Sequence, residues 1–177
     1  IFPRVSGPFF SEIIQGAEVE ARQCQYHLLI YSVHSAKEDE EMLRFLSAKV
    51  DGLILAASCA SDLYLKELQQ RRIPFVLLGC AKPGIAADSI SPDNRQGAFE
   101  MVTHLIEQHG CRRIAFVGQT GPLAQGHARY EGYCQALQRG GLTLEQALVV
   151  RGEFDESSGY RAMTSLLGES LPPQAVF

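Results

Sequence analysis

Strand-like runs alternate with helical stretches along most of this chain. The runs are residues 50–57 (VDGLILAA), 73–79 (IPFVLLG), 88–94 (DSISPDN) and 111–118 (CRRIAFVG), and most are separated by segments with apolar residues three and four positions apart. This alternation predicts an α/β fold in which helices cover a parallel sheet. Because ligands bind at the carboxyl ends of the strands in such sheets, the residues that follow each run are candidate binding residues.

Composition and charge exclude several classes of protein. The chain has 177 residues, 46% hydrophobic and 20% charged, which is typical of a soluble globular protein with one large domain or two small ones. No apolar stretch approaches the ~20 residues of a membrane-spanning helix, and the opening residues, IFPRVSGPFF, show no signal-peptide pattern. The net charge of −4 argues against nucleic-acid binding by this segment alone, although a separate DNA-binding module stays open.

Residue types that bind metals or carry out catalysis show no functional spacing. The five cysteines are odd in number and contain no C-x-x-C pair, so we expect small buried thiols in a reducing cytosol. The histidines lack ligand spacing as well, so neither a metal nor another cofactor is expected. Motifs of the G-x-S-x-G, H-E-x-x-H and Walker types are missing, and the loop GQTG at 118–121 lacks the residues of a phosphate cradle. An enzyme on a doubly wound sheet is a minor alternative.

Apolar periodicity places several elements between these runs. Helical spacing extends over residues 10–24. Residues 28–31 and 147–150 are predicted to be strands. Ser35 and Glu38 have the spacing of a capping box that starts a helix.

Polar residues and glycines mark the ends of other helices. Ser61 and Asp155 are predicted N-caps, because each precedes an apolar helical pattern. Gly110 is the predicted C-cap of the helix before it. Thr143 with Gln146 indicates a second capping box.

Three aromatic side chains are candidates for stacking on a small polar ligand. Phe9 and Phe10 follow the first predicted strand and open a helix, and flat rings stack on sugars or purines. The alternative is that both lie in the core; we expect one to point inward and the other toward a cleft. Phe154 follows a predicted strand, and a hydrophobic staple for the next helix is an equal alternative.

Arg129 lies in the first turn of a predicted helix, after the loop 118–126. A guanidinium there can donate two parallel hydrogen bonds to vicinal hydroxyls or a carboxylate. A cation at a helix N-terminus is unfavourable by roughly 0.3–1 kcal/mol, which indicates another reason for its position. The alternative is a surface arginine that pairs with Glu131 or solvent.

Seven segments resemble a known family in order and spacing. They are PFFSEIIQG, KVDGLILAAS, IPFVLLG, SISPDNRQGA, RRIAFVG, ARYEGYCQAL and EFDESSGYRAM, and together they extend over essentially the whole chain. They resemble the effector-binding domain of lactose/galactose-repressor-type (LacI/GalR) transcription regulators. The strength of the resemblance comes from seven segments in register, since none is decisive by itself.

The resemblance implies a periplasmic-binding-protein-like type I fold with two Rossmann-like parallel-sheet subdomains around a cleft, residues 1–94 and an incomplete 95–177. It also implies that a sugar or nucleobase-like effector binds in this cleft. Binding would change how the N-terminal helix-turn-helix of a cytoplasmic homodimer binds operator DNA. The ligand-binding residues carried over are Phe9, Phe10, Ser58, Asp93, Gln125, Arg129 and Phe154.

The chain departs from the family pattern in two respects. Many relatives have an acidic residue where Gly79 stands, so an acceptor for sugar hydroxyls is either lost or supplied by Asp93. Both ends of the chain are expected to be cut within the fold. The helix-turn-helix and a strand after Phe177 with a ligand-binding aspartate would then lie outside this segment.

Two functions remain open at this point. The leading interpretation is the effector-sensing domain of a bacterial transcriptional repressor, and the alternative is a periplasmic sugar-binding protein of a transport system. Free cysteines and the YEGY segment favour the regulator. Its dimer is expected to use the first subdomain's helices, over 9–24 and 62–70.

Overall fold

The chain forms two compact units. The computed structural model describes residues 1–3, 8–33, 40–79, 81–120, 126–153 and 155–177. The first unit is Ile1–Ser91 and the second is Pro92–Phe177. In each unit parallel strands alternate with helices, which confirms the α/β fold that the sequence predicts.

The described residues of the first unit form five short parallel strands. β1 pairs with β2, and β3, β4 and β5 pair in that order. Ala56 N donates to Ile1 O at 2.9 Å, so β3 lies beside β1. β2 and β3 therefore lie on opposite sides of β1, so the strand order reverses at β1. Open α/β sheets bind ligands at such a reversal. The elements are β1 Phe2–Pro3, α1 Pro8–Gln23, β2 Ser32–Val33, α2 Glu40–Ser47, β3 Leu53–Ala56, a 3-10 turn Ala57–Cys59, α3 Asp62–Gln70, β4 Phe75–Leu78 and β5 Asp88–Ile90.

The core of the first unit lies where α2 and α3 meet the strands. Leu43, Leu55, Leu65 and Leu77 are essentially inaccessible to solvent. Tyr64 is buried among them, and its hydroxyl donates to Leu43 O at 3.0 Å. Burial raises the pKa of this phenol. Because an unpaired buried hydroxyl would cost about 1–3 kcal/mol, the hydrogen bond lets a tyrosine occupy this position.

The second unit has β6 at the centre of a three-stranded parallel sheet. The strand order is β7-β6-β8, so successive crossovers go to opposite sides of β6. The reversal point of this sheet is therefore the carboxyl end of β6. The elements are α4 Asn94–Glu107, β6 Ile114–Gly118, α5 His127–Arg139, a 3-10 turn Gln146–Leu148, β7 Val149–Arg151, α6 Glu156–Leu167 and β8 Ala175–Val176.

An aromatic cluster fills the core of the second unit. The ring of Phe116 lies 5.4 Å from that of Tyr133 and 5.3 Å from that of Tyr130, between centroids. The Tyr133 hydroxyl is buried and donates to Ile114 O at 2.9 Å. Burial raises the pKa of Tyr133 strongly. In both units, a tyrosine on the helix after the first long strand donates a hydrogen bond to a backbone carbonyl oxygen.

The predicted helix ends are confirmed where the structure describes them. The Ser61 side chain accepts from Tyr64 N, and the Asp155 side chain accepts from Ser158 N. Gly110 has φ of +65°, which glycine adopts without a steric penalty, and it follows the end of α4. None of the helices in the described ranges combines the length and apolarity needed to cross a bilayer.

Two predicted strands are wrong in their boundaries. Residues 28–31 are not a strand: Leu29 and Ile30 are 59% and 46% exposed, and β2 comes after them. The segment 147–150 begins as a 3-10 turn, and only its last residues belong to β7.

One of the two predicted capping boxes differs from expectation. The 3-10 turn at Gln146–Leu148 follows Glu145 and has no side-chain cap, so Thr143 with Gln146 does not cap it. The other box, Ser35 with Glu38, lies outside the described residues.

Replacing Gly132 with alanine tests how closely α4 and α5 pack. A Cβ at this position would lie 2.2 Å from Arg95 O and 2.9 Å from Ala98 Cβ. We expect Gly132→Ala to reduce the free energy of unfolding by about 1–3 kcal/mol, because the helices would have to separate. Urea unfolding followed by far-UV circular dichroism measures the change.

Gly97→Ala is the matched control, because a Cβ on this glycine of α4 would have no atom within 4 Å. We expect it to be neutral or to add up to about 1 kcal/mol, since alanine favours helix. Equal free energies of unfolding for the two variants would show that the contact at Gly132 does not limit how closely α4 and α5 pack.

Candidate functional site

A pocket of about 470 Å³ lies in the second unit, where β6 and β7 end. Its walls combine glycine backbone, aromatic rings and charged side chains. This volume and lining suit a small polar molecule. The lining includes Phe116, Gly118, Gln119, Arg129, Asp155 and Phe177.

Two glycines shape the pocket wall next to β6. A Cβ on Gly118 would lie 2.9 Å from the Phe116 ring, and one on Gly126 would lie 2.9 Å from Gln119 O. Contacts this short are essentially never seen for a real Cβ. A larger residue at either position would force the Phe116 ring or the Gln119 backbone to shift, so both glycines allow the close packing of this wall.

Arg129 is brought to the pocket by the first turn of α5. Its side chain is half-buried, and its Nε donates to Asn94 Oδ1 at 2.8 Å. The first residue of α4 therefore orients the guanidinium. The carboxylate proposed as its alternative partner, Glu131, forms an ion pair with Arg95.

Asp155 contributes a negative charge from the start of α6. Its Oδ1 accepts from Ser158 N at 2.7 Å and from Ser157 Oγ at 2.8 Å. These bonds, the backbone one foremost, lower the pKa of Asp155. The pocket thus contains an ionised carboxylate and a guanidinium, and it can bind a molecule with both donor and acceptor groups.

A polar bridge joins the ends of β6 and β7 beside the pocket. Gln119 Nε2 donates to Glu153 Oε2 at 3.3 Å, and Arg151 Nε donates to Glu153 Oε1 at 2.6 Å. Ser158 Oγ accepts from the Glu153 backbone at 2.9 Å. Glu153 therefore connects both strand ends to α6 beside the pocket.

The predicted residues of the first unit lie near the reversal point of its sheet. Phe10 packs on the core and against Phe2, with ring centroids 5.5 Å apart, whereas Phe9 is 62% exposed. Ser58 is exposed on the 3-10 turn that follows β3. Their role in ligand binding stays a prediction.

The predicted residues of the second unit have different positions. Arg129 lines the pocket, as described above. Asp93 is exposed and serves as the N-cap of α4, with its Oδ1 accepting from Gln96 N at 3.0 Å. Gln125 and Phe154 lie outside the described residues.

Sequence reasoning missed several residues of the pocket wall. Gln119 was considered only as part of a weak phosphate loop, and Asp155 only as a helix cap. Gly126 and Phe177 had no local signal. The position of Gln119 directly after β6 could have indicated it, because residues after strands were expected to bind ligand.

The ionisable side chains that the structure describes offer no cluster of three metal ligands. Within residues 1–3, 8–33, 40–79, 81–120, 126–153 and 155–177, no group of three or more His, Cys, Asp or Glu side chains could hold a metal ion. Cys24, Cys59, Cys111 and Cys134 form no disulfide.

Comparison with known proteins identifies the family. Residues 1–177 match the family described as periplasmic binding proteins and sugar binding domain of LacI family. The chain belongs to this LacI-type family. The resemblance drawn from the seven segments, and the fold that it implies, are therefore confirmed.

Members of the LacI family are similar to this chain over most or all of its length. The HTH-type transcriptional repressor CytR of Escherichia coli (strain K12) is 34% identical over 180 residues, which is 100% of this chain and 52% of CytR. The HTH-type transcriptional repressor PurR of Proteus mirabilis (strain HI4320) is 31% identical over 176 residues, 96% of this chain and 51% of PurR. The chain spans about half the length of the curated relatives it matches.

Solved structures of the LacI family have the same fold. A LacI family transcriptional regulator from Enterococcus faecium with bound ribose aligns with a TM-score of 0.83 at 26% identity, covering 99% of this chain and 63% of that one. The transcription regulator CcpA of Lactococcus lactis aligns with a TM-score of 0.84 at 23% identity, covering 98% and 64%, and shares the fold.

Replacing Asp155 with asparagine tests the charge at the pocket. The hydrogen bonds from Ser158 N and Ser157 Oγ hold the pKa of Asp155 below its ordinary value in the folded protein, so its charged form stabilises the fold above the unfolded-state pKa. This contribution is lost as the pH falls through the folded-state pKa. Asparagine still caps the helix but does not ionise. We expect Asp155→Asn to lower stability at about pH 7 and to approach the wild type at an acidic pH at which the Asp155 carboxylate of the folded protein is protonated.

Urea unfolding at both pH values measures the Asp155→Asn difference. If the free energy of unfolding differs from that of the wild type by the same amount at both pH values, the charge of Asp155 does not contribute to stability.

Proposed function

We propose that this chain is the effector-sensing part of a bacterial transcriptional repressor. The observation that carries the proposal is the pocket at the ends of β6 and β7, in which Asn94 orients Arg129 opposite acidic and aromatic walls. Membership in the LacI family and similarity to transcriptional repressors support it. The effector is a small polar molecule, a sugar or a nucleobase-like compound, that accepts hydrogen bonds from the guanidinium.

The two subdomains contribute different chemistry in this proposal. Residues 1–94 supply the aromatic pair Phe9 and Phe10 together with Ser58. Residues 95–177 supply the guanidinium, with Gln125 and Phe154 added from the family resemblance. Asp93, next to the subdomain boundary, is placed in the site by resemblance, although its Oδ1 also caps α4.

Regulation follows from differential affinity. A ligand shifts an equilibrium between two conformations only as far as it binds one more tightly than the other. A coupling of about 1–3 kcal/mol would change operator affinity about 5- to 150-fold. DNA is bound in this proposal by a helix-turn-helix outside this chain, in a homodimer in the cytoplasm.

The transport alternative is less well supported. The family description also includes periplasmic binding proteins. However, CytR and PurR, which match nearly the whole chain, are transcriptional repressors. Free thiols also fit a reducing compartment better than an oxidising one. Because these relatives are regulators, we further propose that the bound molecule is held and not chemically changed.

Arg129→Ala tests the assignment of the pocket. Ligand-induced thermal shifts with a panel of pentoses, hexoses, nucleosides and purine bases first identify a binder. We expect the variant to lose about 1.5–3 kcal/mol of binding free energy for that compound, measured by calorimetry, because a charged hydrogen-bond donor is removed. Asn94→Ala, which removes the orienting oxygen, should cause a smaller loss.

Arg139→Ala is the matched control, since this arginine of the same helix is exposed and pairs with Glu107 at 3.5 Å. It should leave affinity unchanged. An undiminished ligand response in a correctly folded Arg129→Ala protein would contradict the assignment.

Val19→Arg tests the proposed dimer. Val19 is 53% exposed on α1, one of the helices expected to form the interface. A buried, unpaired charge there should convert the intact protein from dimer to monomer in sedimentation experiments. Leu167→Arg, at a residue that is 65% exposed on α6, is the control and should remain dimeric. A monomeric wild type at high concentration would refute the proposal.

A further inference from the structure

The end of α4 brings two histidine rings together outside the pocket. Nε2 of His104 and Nε2 of His109 are 3.1 Å apart, and the ring centroids are 4.9 Å apart. Both side chains are exposed. One of the two nitrogens must lack a hydrogen, because two N–H groups cannot face each other at this distance. At least one lone pair is therefore available to an electrophile.

The helix end, and not helical spacing, creates this pair. Residues five apart on a continuous α-helix point about 140° away from each other. Here α4 ends at Glu107, Gly110 N donates to Ile106 O at 3.1 Å, and Gly110 has φ of +65°. His109 lies between the last residue of α4 and Gly110, and its ring contacts that of His104 in the last turn of the helix. Sequence spacing alone consequently did not indicate the pair.

We propose that His104 and His109 form a two-histidine site for a divalent transition-metal ion such as Zn²⁺, Ni²⁺ or Cu²⁺. Imidazole nitrogen suits these ions. With bonds of about 2.0–2.1 Å, two nitrogens of a tetrahedral zinc site lie roughly 3.3 Å apart. The observed separation is close to that, so rotation of exposed rings suffices to direct both lone pairs to one ion.

The surroundings favour a cation at this position. The last carbonyl groups of α4 carry the negative end of the helix dipole. The carboxylate of Glu107 in the same last turn adds a negative charge, part of which is offset by Arg139 at 3.5 Å. Within the described part of the chain no third side chain completes a metal cluster. Water would fill the remaining coordination positions, and the ion would exchange readily.

A bound ion would connect the last turn of α4 to the segment that leads into β6. Cys111 N donates to Leu105 O at 3.1 Å in the same segment, so the metal would reinforce an existing connection. Any ion that binds only this folded arrangement raises its apparent stability. The site is independent of the pocket residues and of the proposed effector.

Titration of the full 177-residue chain, without a histidine tag, with NiCl₂ and ZnCl₂ tests the site. Calorimetry should give one ion per chain for the wild type. His104→Ala and His109→Ala should each weaken binding roughly tenfold or more, because removing a ligand costs at least as much as removing a supporting residue. His27→Ala is the matched control, since His27 is exposed and lies in the first unit. Its affinity should equal that of the wild type.

Binding should also weaken on acidification, because protonated imidazole cannot coordinate a metal. Circular dichroism establishes that each variant is folded, and selective broadening of the His104 and His109 ring signals by Ni²⁺ gives an independent readout. Three outcomes would overturn the proposal. They are equal metal affinities in all four proteins, a loss of affinity in His27→Ala as large as in the other two variants, and no binding by the wild type.

Discussion

The close approach of α4 and α5 at Gly132 is the contact on which the second unit depends. Because Gly132 has no side chain, the backbone at Arg95 comes within a distance that a Cβ would block. The same approach brings Asn94 to Arg129 and Arg95 to Glu131. The guanidinium in the pocket is thus oriented by helix packing before any ligand arrives, and such preorganisation lowers the cost of binding.

The sequence predicted the elements that have a long or regular pattern. Apolar runs located β3, β4 and β6, and helical spacing located α1 to within two residues. The failures have two causes, because apolar content does not guarantee burial and very short elements show no readable period. Leu29 and Ile30 are apolar but exposed, and strands of two residues, such as β2, are too short to show any period. In a short apolar run, the sequence pattern around the buried Leu148 does not distinguish a 3-10 turn from a strand.

The candidate site was only partly predictable, because some of its walls depend on contacts between segments that are distant in the sequence. Arg129 could be found because its charge is locally unfavourable in the first turn of a helix, so a tertiary role had to explain it. The wall formed by Gly126 against Gln119 depends on a distance between separate segments, which no local pattern encodes. Asp155 was recognised as a cap, but one carboxylate both caps α6 and lines the pocket. The contact between His104 and His109 likewise joins two residues five apart, which helical spacing does not bring to one face.

The two buried phenols give this chain a property of practical value. It has six tyrosines and no tryptophan, so tyrosine dominates its ultraviolet emission. Tyr64 reports from the interior of one unit and Tyr133 from the other, each fixed to a carbonyl group. Intrinsic fluorescence can therefore follow the loosening of either half without an attached dye, and replacing one phenol at a time by phenylalanine would separate their signals.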